Sequence, residues 1–567
     1  MHSAHSGNAM EGQQSGDQRH AQPAEEPVSA SQQAPSHRPD GGDSEAANAT
    51  DTNGCHSMLA ATWNIAAVNN NPFEYWVTHS DPAYNEMMLR VQDFIDNPGD
   101  RDTTVGEVLT DKMFEELVQD LTEHNFNSID RLRRYWVEEY RERKLVSGFL
   151  KDRKIGSKRL ASMPDRVTNT IYADDGSVFF RPTAINCFEG EFESKESWWA
   201  QWRHFMFNTT VQVFNDRGPS AAPGPQLVCH LLEPILKEKY KDITPEEEAM
   251  SLTLQTLCLA IFDAILIHML DVVAAASWQH LRRTICEALY KDKDQQIVSI
   301  LTRTYPNAAV VFLQEVAASF VEKLKTRDIH KKYMTLLPSQ MDGRRDQNSI
   351  ILASRSVFVE ETAVDVTDEI LKVCEHPTAP GDLVASVIQG RDRRRYMLVS
   401  FHGETNGLAT RPVVAAVDEI HKKSYGDSIL IFGLDANTYR EHSAKTFQGV
   451  ENFHQFITER GIGSCWGSEP DPLNPTTCNA RTYLQPQLNK AVGQQERIRK
   501  ADKNLKDWIM FYISQTSAKD SCKDNTGSRS YIEEMVFPTL DFPSDHAVVS
   551  AALTFMPSAE SEQNRAS

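Results

Sequence analysis

Polar side chains that could bind a divalent cation lie at the ends of several apolar runs in this sequence. Five of these runs read as buried strands: MLAATWNI, AAVVFLQEV, RYMLVSFHG, SILIFGLDAN and DWIMFYI. Carboxylates, amides and imidazoles at the ends of core strands cost free energy unless they meet a metal or each other. We therefore expect one cleft in which the following residues converge: Asn64, Glu315, His402, Asp435, Asn437, Asp507, Asp545 and His546.

This set of side chains predicts the hydrolysis of phosphate esters. The oxygens of a phosphate ester repel an anionic nucleophile, and a divalent cation reduces that repulsion and stabilises the leaving oxygen. Mg²⁺ prefers a few hard oxygen ligands and keeps several waters, which suits the Glu315 carboxylate and the Asn64 amide oxygen. Asp545 is a third candidate ligand, directly or through a water. The expected cofactor is Mg²⁺, for which Mn²⁺ could substitute.

Each motif on its own has a simpler interpretation. GLDAN is typical of a turn, because Gly, Asp and Asn favour turns, and SDH is typical of a helix N-cap. For every candidate residue the alternative is a hydrogen-bonded polar group of the core. Only the whole set, in this order, distinguishes these interpretations from a hydrolytic site.

The ordered set TWNI, FLQEV, FHGETNG, GLDAN, KDWI and SDH resembles the endonuclease/exonuclease/phosphatase superfamily, which includes deoxyribonuclease I. The resemblance covers residues 57–69 and about 305–556. It implies an α/β fold, a deoxyribonuclease I-like two-sheet sandwich with helices outside. The second half of the chain alternates between predicted strands and helices, and this pattern fits that architecture.

The resemblance also implies catalytic roles. Asp435 matches the aspartate that positions and deprotonates the attacking water, and Asn437 is placed to donate its amide to the phosphate. Asp507 matches the carboxylate that pairs with His546. Such a pair keeps the imidazole cationic enough to hold a phosphoryl oxygen or to transfer a proton. His402 matches a second histidine that binds phosphate or protonates the leaving group.

Departures from the family pattern leave the substrate open. GETNG follows His402, and Leu434 stands between Gly433 and Asp435. Neither WxGDxNYR nor PxWCDR, the signatures of inositol 5-phosphatases, occurs in the chain. A nuclease that cleaves phosphodiester bonds of RNA or DNA is therefore favoured. A phosphatase of a phosphoinositide or another small phosphate ester is the alternative, and a non-enzymatic interaction scaffold is a third hypothesis.

A long segment separates the first two motifs. Glu315 follows Asn64 by 251 positions, whereas the superfamily normally joins these strands through a few tens of residues. The expected organisation is a disordered acidic tail, a discontinuous catalytic domain, a mainly helical insertion and a second disordered tail: residues 1–56, 57–71 with 291–556, 72–290 and 557–567. The insertion is expected to be a structural lid, or else to select the substrate or bind an unidentified protein partner.

The charge balance argues against a protein that binds nucleic acid over its whole surface. The formal net charge is −20 at pH 7, which opposes a general polyanion binder. A local basic rim could still hold substrate phosphate, and its candidates are Arg393, Arg394 and Arg395, with Arg391, Arg344 and Arg345. A solvated strand end and turn explains the same arginines equally well.

The cysteines and the N-terminal region bear on the compartment. The nine cysteines are scattered and none has CxxC spacing, which argues against a zinc site and favours a reducing compartment. The first 55 residues contain no apolar run typical of a signal peptide. We therefore expect an intracellular protein of the cytoplasm or nucleus.

Residues 252–277 form the longest apolar stretch of the chain. Their length suits a membrane span, but Gln255, Asp263, His268 and Asp271 interrupt them. Because charged groups at the centre of a bilayer are costly, the stretch predicts a buried helix of a helical layer and no stable membrane span.

Overall fold

The computed structural model describes residues 57–67, 69–213, 224–343, 346–440 and 446–556. Both predicted disordered tails and the rim candidates Arg344 and Arg345 lie outside these residues. The strands are β1 (Ser57–Asn64), β2 (Thr170–Tyr172), β3 (Val178–Phe180), β4 (Thr210–Val211), β5 (Gln226–Leu227), β6 (Ala308–Val316), β7 (Tyr333–Leu336), β8 (Asn348–Ser354), β9 (Phe358–Asp365), β10 (Leu383–Gly390), β11 (Arg395–His402), β12 (Ser428–Asp435), β13 (Thr438–Tyr439), β14 (Gln448–Gly449), β15 (Ile462–Ser464), β16 (Asp507–Tyr512), β17 (Thr516–Asp524) and β18 (Val548–Phe555). The α-helices are α1 (Pro82–Asp96), α2 (Val105–Val108), α3 (Asp111–Glu123), α4 (Ile129–Tyr135), α5 (Arg153–Ser157), α6 (Ser162–Thr168), α7 (Lys195–Asn208), α8 (Pro245–Ala249), α9 (Ser251–Ala274), α10 (Trp278–Cys286), α11 (Lys293–Ser299), α12 (Ala318–Thr326), α13 (Ile329–Lys332), α14 (Thr367–Val373), α15 (Thr410–Ser424) and α16 (Val450–Thr458).

Two six-stranded sheets form the centre of the molecule. Sheet I has the strand order β17-β18-β1-β6-β8-β7, and sheet II has the order β15-β16-β12-β11-β10-β9. Their inner faces share one apolar core, in which Val310 and Phe312 of sheet I lie with Leu398 and Ile431 of sheet II. Helices α14, α15 and α16 cover the outer face of sheet II. The predicted α/β two-sheet sandwich is confirmed.

The central strands are buried on both faces, and this explains their uninterrupted apolar sequences. In β6, Val310 and Phe312 belong to the core between the sheets, whereas Val311 and Leu313 belong to the core on the outer side. Successive side chains of a strand point to opposite faces, and a strand covered on both sides reads as a continuous apolar run. Polar residues are therefore tolerated mainly where such strands end.

Gly433 and Gln314 join the two sheets beside these polar strand ends. A Cβ at position 433 would lie only 2.3 Å from the Phe312 ring, so glycine allows the sheets to approach closely. The Gln314 side chain donates to Thr62 Oγ1 in its own sheet at 3.1 Å and to Ser400 Oγ in the other at 3.0 Å. These contacts fix the strand ends of one sheet relative to those of the other.

Helices α1 to α10 and the short strands β2 to β5 occupy the connection between β1 and β6, where an insertion was predicted. The outward-facing side chains of Trp63 and Leu313 in sheet I belong to the same apolar core as the insertion helices. The insertion therefore packs on the outer face of sheet I and buries it, as helices do on both sides of an α/β sandwich.

Helix α9 is the central helix of the insertion. It is long and apolar enough to cross a membrane, with a mean hydropathy of 2.2, but 78% of that apolar window is buried inside the protein. Asp263, which interrupts the apolar run, is fully buried and forms an ion pair with Arg181. The helix is thus enclosed by protein, as expected for a core helix of a helical layer.

Two cysteines differ from the expected isolated thiols. Cys187 follows β3, Cys286 ends α10, and the structure joins them in a disulfide within the insertion. They are 99 positions apart in the chain. Their spacing therefore carried no signal for the pairing, which depends on how the helices fold back.

Candidate active site

The two sheets bring their polar strand ends to one edge of the sandwich. Asn64 is the last residue of β1, and Glu315 lies next to the end of β6, with which β1 pairs in parallel. His402 and Asp435 end the parallel strands β11 and β12 and are partners in the register. Asp507 begins the antiparallel strand β16 opposite Asp435. The sheet topology therefore places side chains from five strands together.

Asn64 links the two sheets through its side-chain amide. Its Nδ2 donates to Glu315 Oε1 at 3.1 Å and to Asp435 Oδ2 at 3.0 Å. Its Oδ1 accepts from the backbone N–H of Ala66 at 2.9 Å. In this structure the amide nitrogen, rather than the oxygen expected as a metal ligand, faces the two carboxylates.

Glu315 presents an ionised carboxylate to the cleft. Its Oε2 accepts from the Ala67 N–H at 2.7 Å, and its Oε1 lies 3.4 Å from His402 Nε2. Burial alone would raise its pKa, but His402, the Ala67 amide and Asn64 together hold the pKa of Glu315 below its usual value. The residue has a φ of 54°, a strained conformation for a residue other than glycine and one that is common at functional sites.

Asp435 is held by the turn that follows it. Its Oδ1 accepts from the Asn437 backbone N–H at 2.9 Å, and Asn437 has a φ of 47°, which asparagine tolerates. The GETNG segment after His402 packs against this turn, because a Cβ on Gly407 would lie 2.3 Å from the Asn437 carbonyl oxygen. The unusual segment therefore supports the position of Asp435.

Two imidazoles flank the same oxygen of Asp435. The Nε2 atoms of His402 and His546 each lie 3.7 Å from Asp435 Oδ2. His546 Nδ1 lies 3.0 Å from Asp507 Oδ2, so Asp507 orients the ring. Burial lowers the pKa of His546, but Asp507 and Asp435 outweigh that effect and raise it to about 10. The His546 imidazole is therefore cationic at neutral pH.

The donor set on the Glu315 side fits a divalent cation. Asp545 accepts from Asn479 Nδ2 at 3.0 Å, and its pKa is raised by burial and by the nearby Glu315 charge. Two carboxylates that destabilise each other's charge favour a cation between or beside them. Hard carboxylate oxygens are the ligands that Mg²⁺ and Mn²⁺ accept.

A second group of possible ligands is already balanced. Asp435, Asp507 and His546 offer ligand atoms within 4.8 Å of one another. However, His546 Nδ1 is hydrogen-bonded to Asp507 and its Nε2 lies 3.7 Å from Asp435 Oδ2, so a metal bound by this ring would have to displace a proton. We therefore place the candidate cation at Glu315 and Asp545.

Lys293 is a component of the site that the sequence did not reveal. Its Nζ donates to the carbonyl oxygens of Ala66 and Ala67, the latter at 3.3 Å, and its side chain is buried. Burial lowers its pKa to about 8, although Asp545 and Glu315 favour its charge. Lys293 thereby holds the turn whose Ala67 amide binds Glu315. In the charged run KDKDQQ it reads as a solvated residue.

Ser544 fixes the SDH segment to the first strand. Its hydroxyl donates to the Asn64 carbonyl oxygen at 2.6 Å and accepts from the His546 N–H at 3.0 Å. Trp63 Nε1 donates to the His546 carbonyl oxygen at 2.9 Å. In the sequence, only the serine of SDH indicates that this segment is held by hydrogen bonds to backbone groups. A serine hydroxyl commonly forms such bonds in turns.

The arginine cluster lies at the other end of sheet II. Arg393, Arg394 and Arg395 belong to the turn and strand start that join β10 to β11, and His402 is at the opposite end of β11. His402 lies seven positions after Arg395 along β11, or about 23 Å at about 3.3 Å per residue. Arg395 pairs with Asp427 there. Strand direction carries the cluster away from the strand ends where the site lies, and its contact with substrate phosphate stays a prediction.

Sheet order and the converging strand ends show a two-sheet α/β sandwich, the architecture that the motifs implied. A family model described as a domain of unknown function (DUF8234) matches residues 102–283, inside the insertion. No curated protein matches the chain.

Several solved structures are similar to about half of this chain. TDP2 of D. rerio, complexed with a single-strand DNA product, is 15% identical with a TM-score of 0.31, over 46% of this chain and 92% of that chain. The human Nocturnin catalytic domain with bound sulfate anion is 11% identical with a TM-score of 0.32, over 48% and 89%. An endonuclease/exonuclease/phosphatase family protein from Bacteroides thetaiotaomicron is 14% identical with a TM-score of 0.31, over 47% and 90%.

Proposed function

We propose that this protein is a divalent-metal-dependent phosphoesterase that cleaves phosphodiester bonds of nucleic acid by attack of a water. The observation that carries the proposal is the convergence on one oxygen atom. Asp435 Oδ2 accepts from Asn64 Nδ2 at 3.0 Å and lies 3.7 Å from the Nε2 atoms of both His402 and His546. A buried carboxylate between two imidazoles can take a proton while they stabilise an anion beside it.

Asp435 is the residue that accepts the proton of the attacking water. The Asn437 N–H holds its Oδ1, and the Asn64 amide holds its Oδ2, so the carboxylate keeps one orientation. A general base acts efficiently only when its geometry is fixed in this way. The proton leaves the water as its oxygen attacks phosphorus.

His546 and His402 stabilise the negative charge of the phosphoryl group. Asp507 holds His546 Nδ1, which leaves the Nε2–H free to donate into the cleft. His402 Nε2 faces the cleft between Glu315 and Asp435 and is placed to protonate the leaving oxygen. Donors that are oriented before the reaction stabilise the transition state without further reorganisation.

Glu315 and Asp545 would hold the divalent cation, Mg²⁺ or Mn²⁺, which when bound neutralises phosphate charge and stabilises the leaving oxygen. The ionised state of Glu315 suits this role, because His402, the Ala67 N–H and Asn64 favour its charged form. Asn479 orients Asp545. The acids on this side of the cleft thus form a negative pocket that accepts a cation.

A substrate panel tests this proposal. Single-stranded RNA, single-stranded DNA and inositol phosphates are each incubated with Mg²⁺, with chelator, and with Asp435→Asn protein. We expect Mg²⁺-dependent cleavage of a nucleic-acid strand and a loss of about 10²–10⁴-fold in the variant. Cleavage of inositol phosphates alone would replace the nuclease with a phosphatase. If no ester is hydrolysed, the protein is a scaffold.

A further inference from the structure

The fully buried Thr476 holds the carboxylate of Asp507 from outside both sheets. It lies in the long connection between β15 and β16, and its Oγ1 donates to Asp507 Oδ2 at 2.5 Å. His546 Nδ1 lies 3.0 Å from the same oxygen. Among the described residues, Thr476 and His546 are the only side chains that form hydrogen bonds with this carboxylate. Thr476 is therefore the contact that fixes Asp507 independently of the imidazole.

The Thr476 hydroxyl directs its proton to Asp507. A threonine hydroxyl has one proton to donate and two lone pairs that accept. The backbone N–H groups of Lys506 and Asp507 donate to Oγ1 at 3.0 and 3.2 Å, so both lone pairs are occupied. The proton therefore lies on the side of the carboxylate, and the distance of 2.5 Å matches a charge-assisted O–H···O⁻ bond. Such a bond is roughly twice as strong as one between neutral groups.

The backbone of the same segment holds the segment that carries His546. The Ala547 N–H donates to the Thr476 carbonyl oxygen at 2.8 Å, and Thr477 forms an antiparallel bridge with His546. The side chain of Thr476 thus orients Asp507, and its backbone supports the position of the His546 backbone. A change confined to the Thr476 side chain should therefore release the carboxylate while the SDH segment stays in place.

We propose that Thr476 is a positioning residue of the hydrolytic reaction, a role that rests on the proposed function: its hydroxyl fixes Asp507, which in turn holds the His546 ring. The Nε2 atom of that ring lies 3.7 Å from Asp435 Oδ2 and is placed to donate to a phosphoryl oxygen. Without the hydroxyl, the Asp507 carboxylate keeps His546 as its hydrogen-bond donor and rotates with the ring. A displacement of about 1 Å at a reacting group can lower a rate by about 10²-fold.

The test compares two substitutions of Thr476 in the full chain. Thr476→Val keeps the shape and removes the hydroxyl, whereas Thr476→Ser keeps the hydroxyl and removes the methyl group. With Mg²⁺ and the ester cleaved in the substrate panel, Thr476→Val should lower kcat by about 10–100-fold and leave KM within about 2-fold. Thr476→Ser should retain kcat within about 3-fold. Thr253→Val is the matched control, because Thr253 is equally buried and its hydroxyl donates to a backbone carbonyl oxygen in the insertion.

A double-variant cycle separates positioning from a structural role. If Thr476 acts through the carboxylate, Thr476→Val should lower kcat by less than about 2-fold further in Asp507→Ala protein, because residues of one network are not additive. An equal effect of Thr476→Val with and without the Asp507 carboxylate would overturn the proposal. So would a kcat for Thr476→Val within about 2-fold of the unaltered protein, or a loss in Thr476→Ser as large as that in Thr476→Val.

Thermal unfolding distinguishes a wrong role for Thr476 from a wrong proposed function. If the unaltered protein hydrolyses no ester, the proposed function is overturned, and the contact is then measured by Tm alone. A combined shift in Tm smaller than the sum of the Thr476→Val and Asp507→Ala shifts would keep Thr476 as the support of Asp507. Additive shifts would overturn that support as well.

Discussion

The protein buries carboxylates in two places, the insertion core and the strand ends of the sandwich, and it compensates them differently. In the insertion core, Arg181 pairs with both Asp165 and Asp263. Each carboxylate oxygen of Asp263 accepts two hydrogen bonds. One comes from Arg181, and the other comes from Thr183 or Trp202. Such a network is complete without any ligand.

The strand ends of the sandwich hold more acidic side chains than their neighbours neutralise. Glu315, Asp435, Asp507 and Asp545 converge there. His546 balances Asp435 and Asp507. Among the described residues, His402, Lys293 and Lys506 also lie near Glu315 or Asp545, yet burial and the charge of Glu315 keep the pKa of Asp545 above its usual value. A buried charge network that its own side chains complete supports the fold. An incomplete network is suited to bind a ligand.

The largest expected effect comes from removing the central acid of the site. Asp435→Asn should lower kcat by about 10²–10⁴-fold, because the proton acceptor is lost. The asparagine oxygen can still accept from the Asn437 N–H, whereas its amide nitrogen cannot accept from Asn64 Nδ2. Thermal unfolding should occur at the same temperature or higher, since one of the converging charges is gone. Kinetics and calorimetry on one preparation measure both. A variant that unfolds instead would show that this network is structural.

In the insertion core, Asp263→Asn should instead lower the stability of the fold. Removing one of the two carboxylates that pair with the buried Arg181 leaves its charge only partly compensated and costs about 3–5 kcal/mol of unfolding free energy. Urea denaturation followed by tryptophan fluorescence measures the loss. The matched control is Asp427→Asn, whose exposed partner is Arg395, and a surface pair contributes about 0–1 kcal/mol. Equal effects of the two variants would contradict the comparison.

Divalent cations should stabilise the native protein through the incomplete network. A ligand present at about 100 times its dissociation constant stabilises the folded state by about 2.7 kcal/mol. Differential scanning fluorimetry with Mg²⁺ or Mn²⁺ should show a rise in Tm that Glu315→Gln removes and Asp263→Asn retains. An identical rise in Glu315→Gln would place the cation elsewhere.

Lys293→Met tests the positioning of Glu315. The change removes the two hydrogen bonds to the Ala66 and Ala67 carbonyl oxygens, so the Ala67 amide should orient Glu315 less well. Residues that orient metal ligands typically affect affinity or activity by about 10–100-fold. The cation concentration at half-maximal activity should rise by about 10-fold, and Lys293→Arg should recover part of it. If Lys293→Met keeps full activity and the same cation concentration at half-maximal activity, Lys293 supports only the fold.

The sequence predicted the strand ends better than it predicted their surroundings. Uninterrupted apolar runs place Asn64, Glu315 and Asp435 at the ends of buried strands, and the register then brings them together. Lys293 was not predictable, because its charged neighbours read as solvent-exposed and its burial depends on how the insertion rejoins the sandwich. The partner of Asp263 could not be read either, since Arg181 lies 82 positions earlier in the chain.

The smallest expected effect is at the arginines that the sequence associated with phosphate. A run of basic residues next to a strand shows local charge, but only the direction of the strand decides whether that end or the other faces the site. Arg395 is exposed, pairs with Asp427 and begins β11, whereas His402 ends it. Arg395→Gln should therefore change stability by less than about 0.5 kcal/mol, as surface substitutions usually do, and should leave KM for an oligonucleotide within about 2-fold. Because a phosphate contact supplies a salt-dependent share of affinity, a lower salt dependence in this variant would show that the strand of substrate reaches the far end of sheet II.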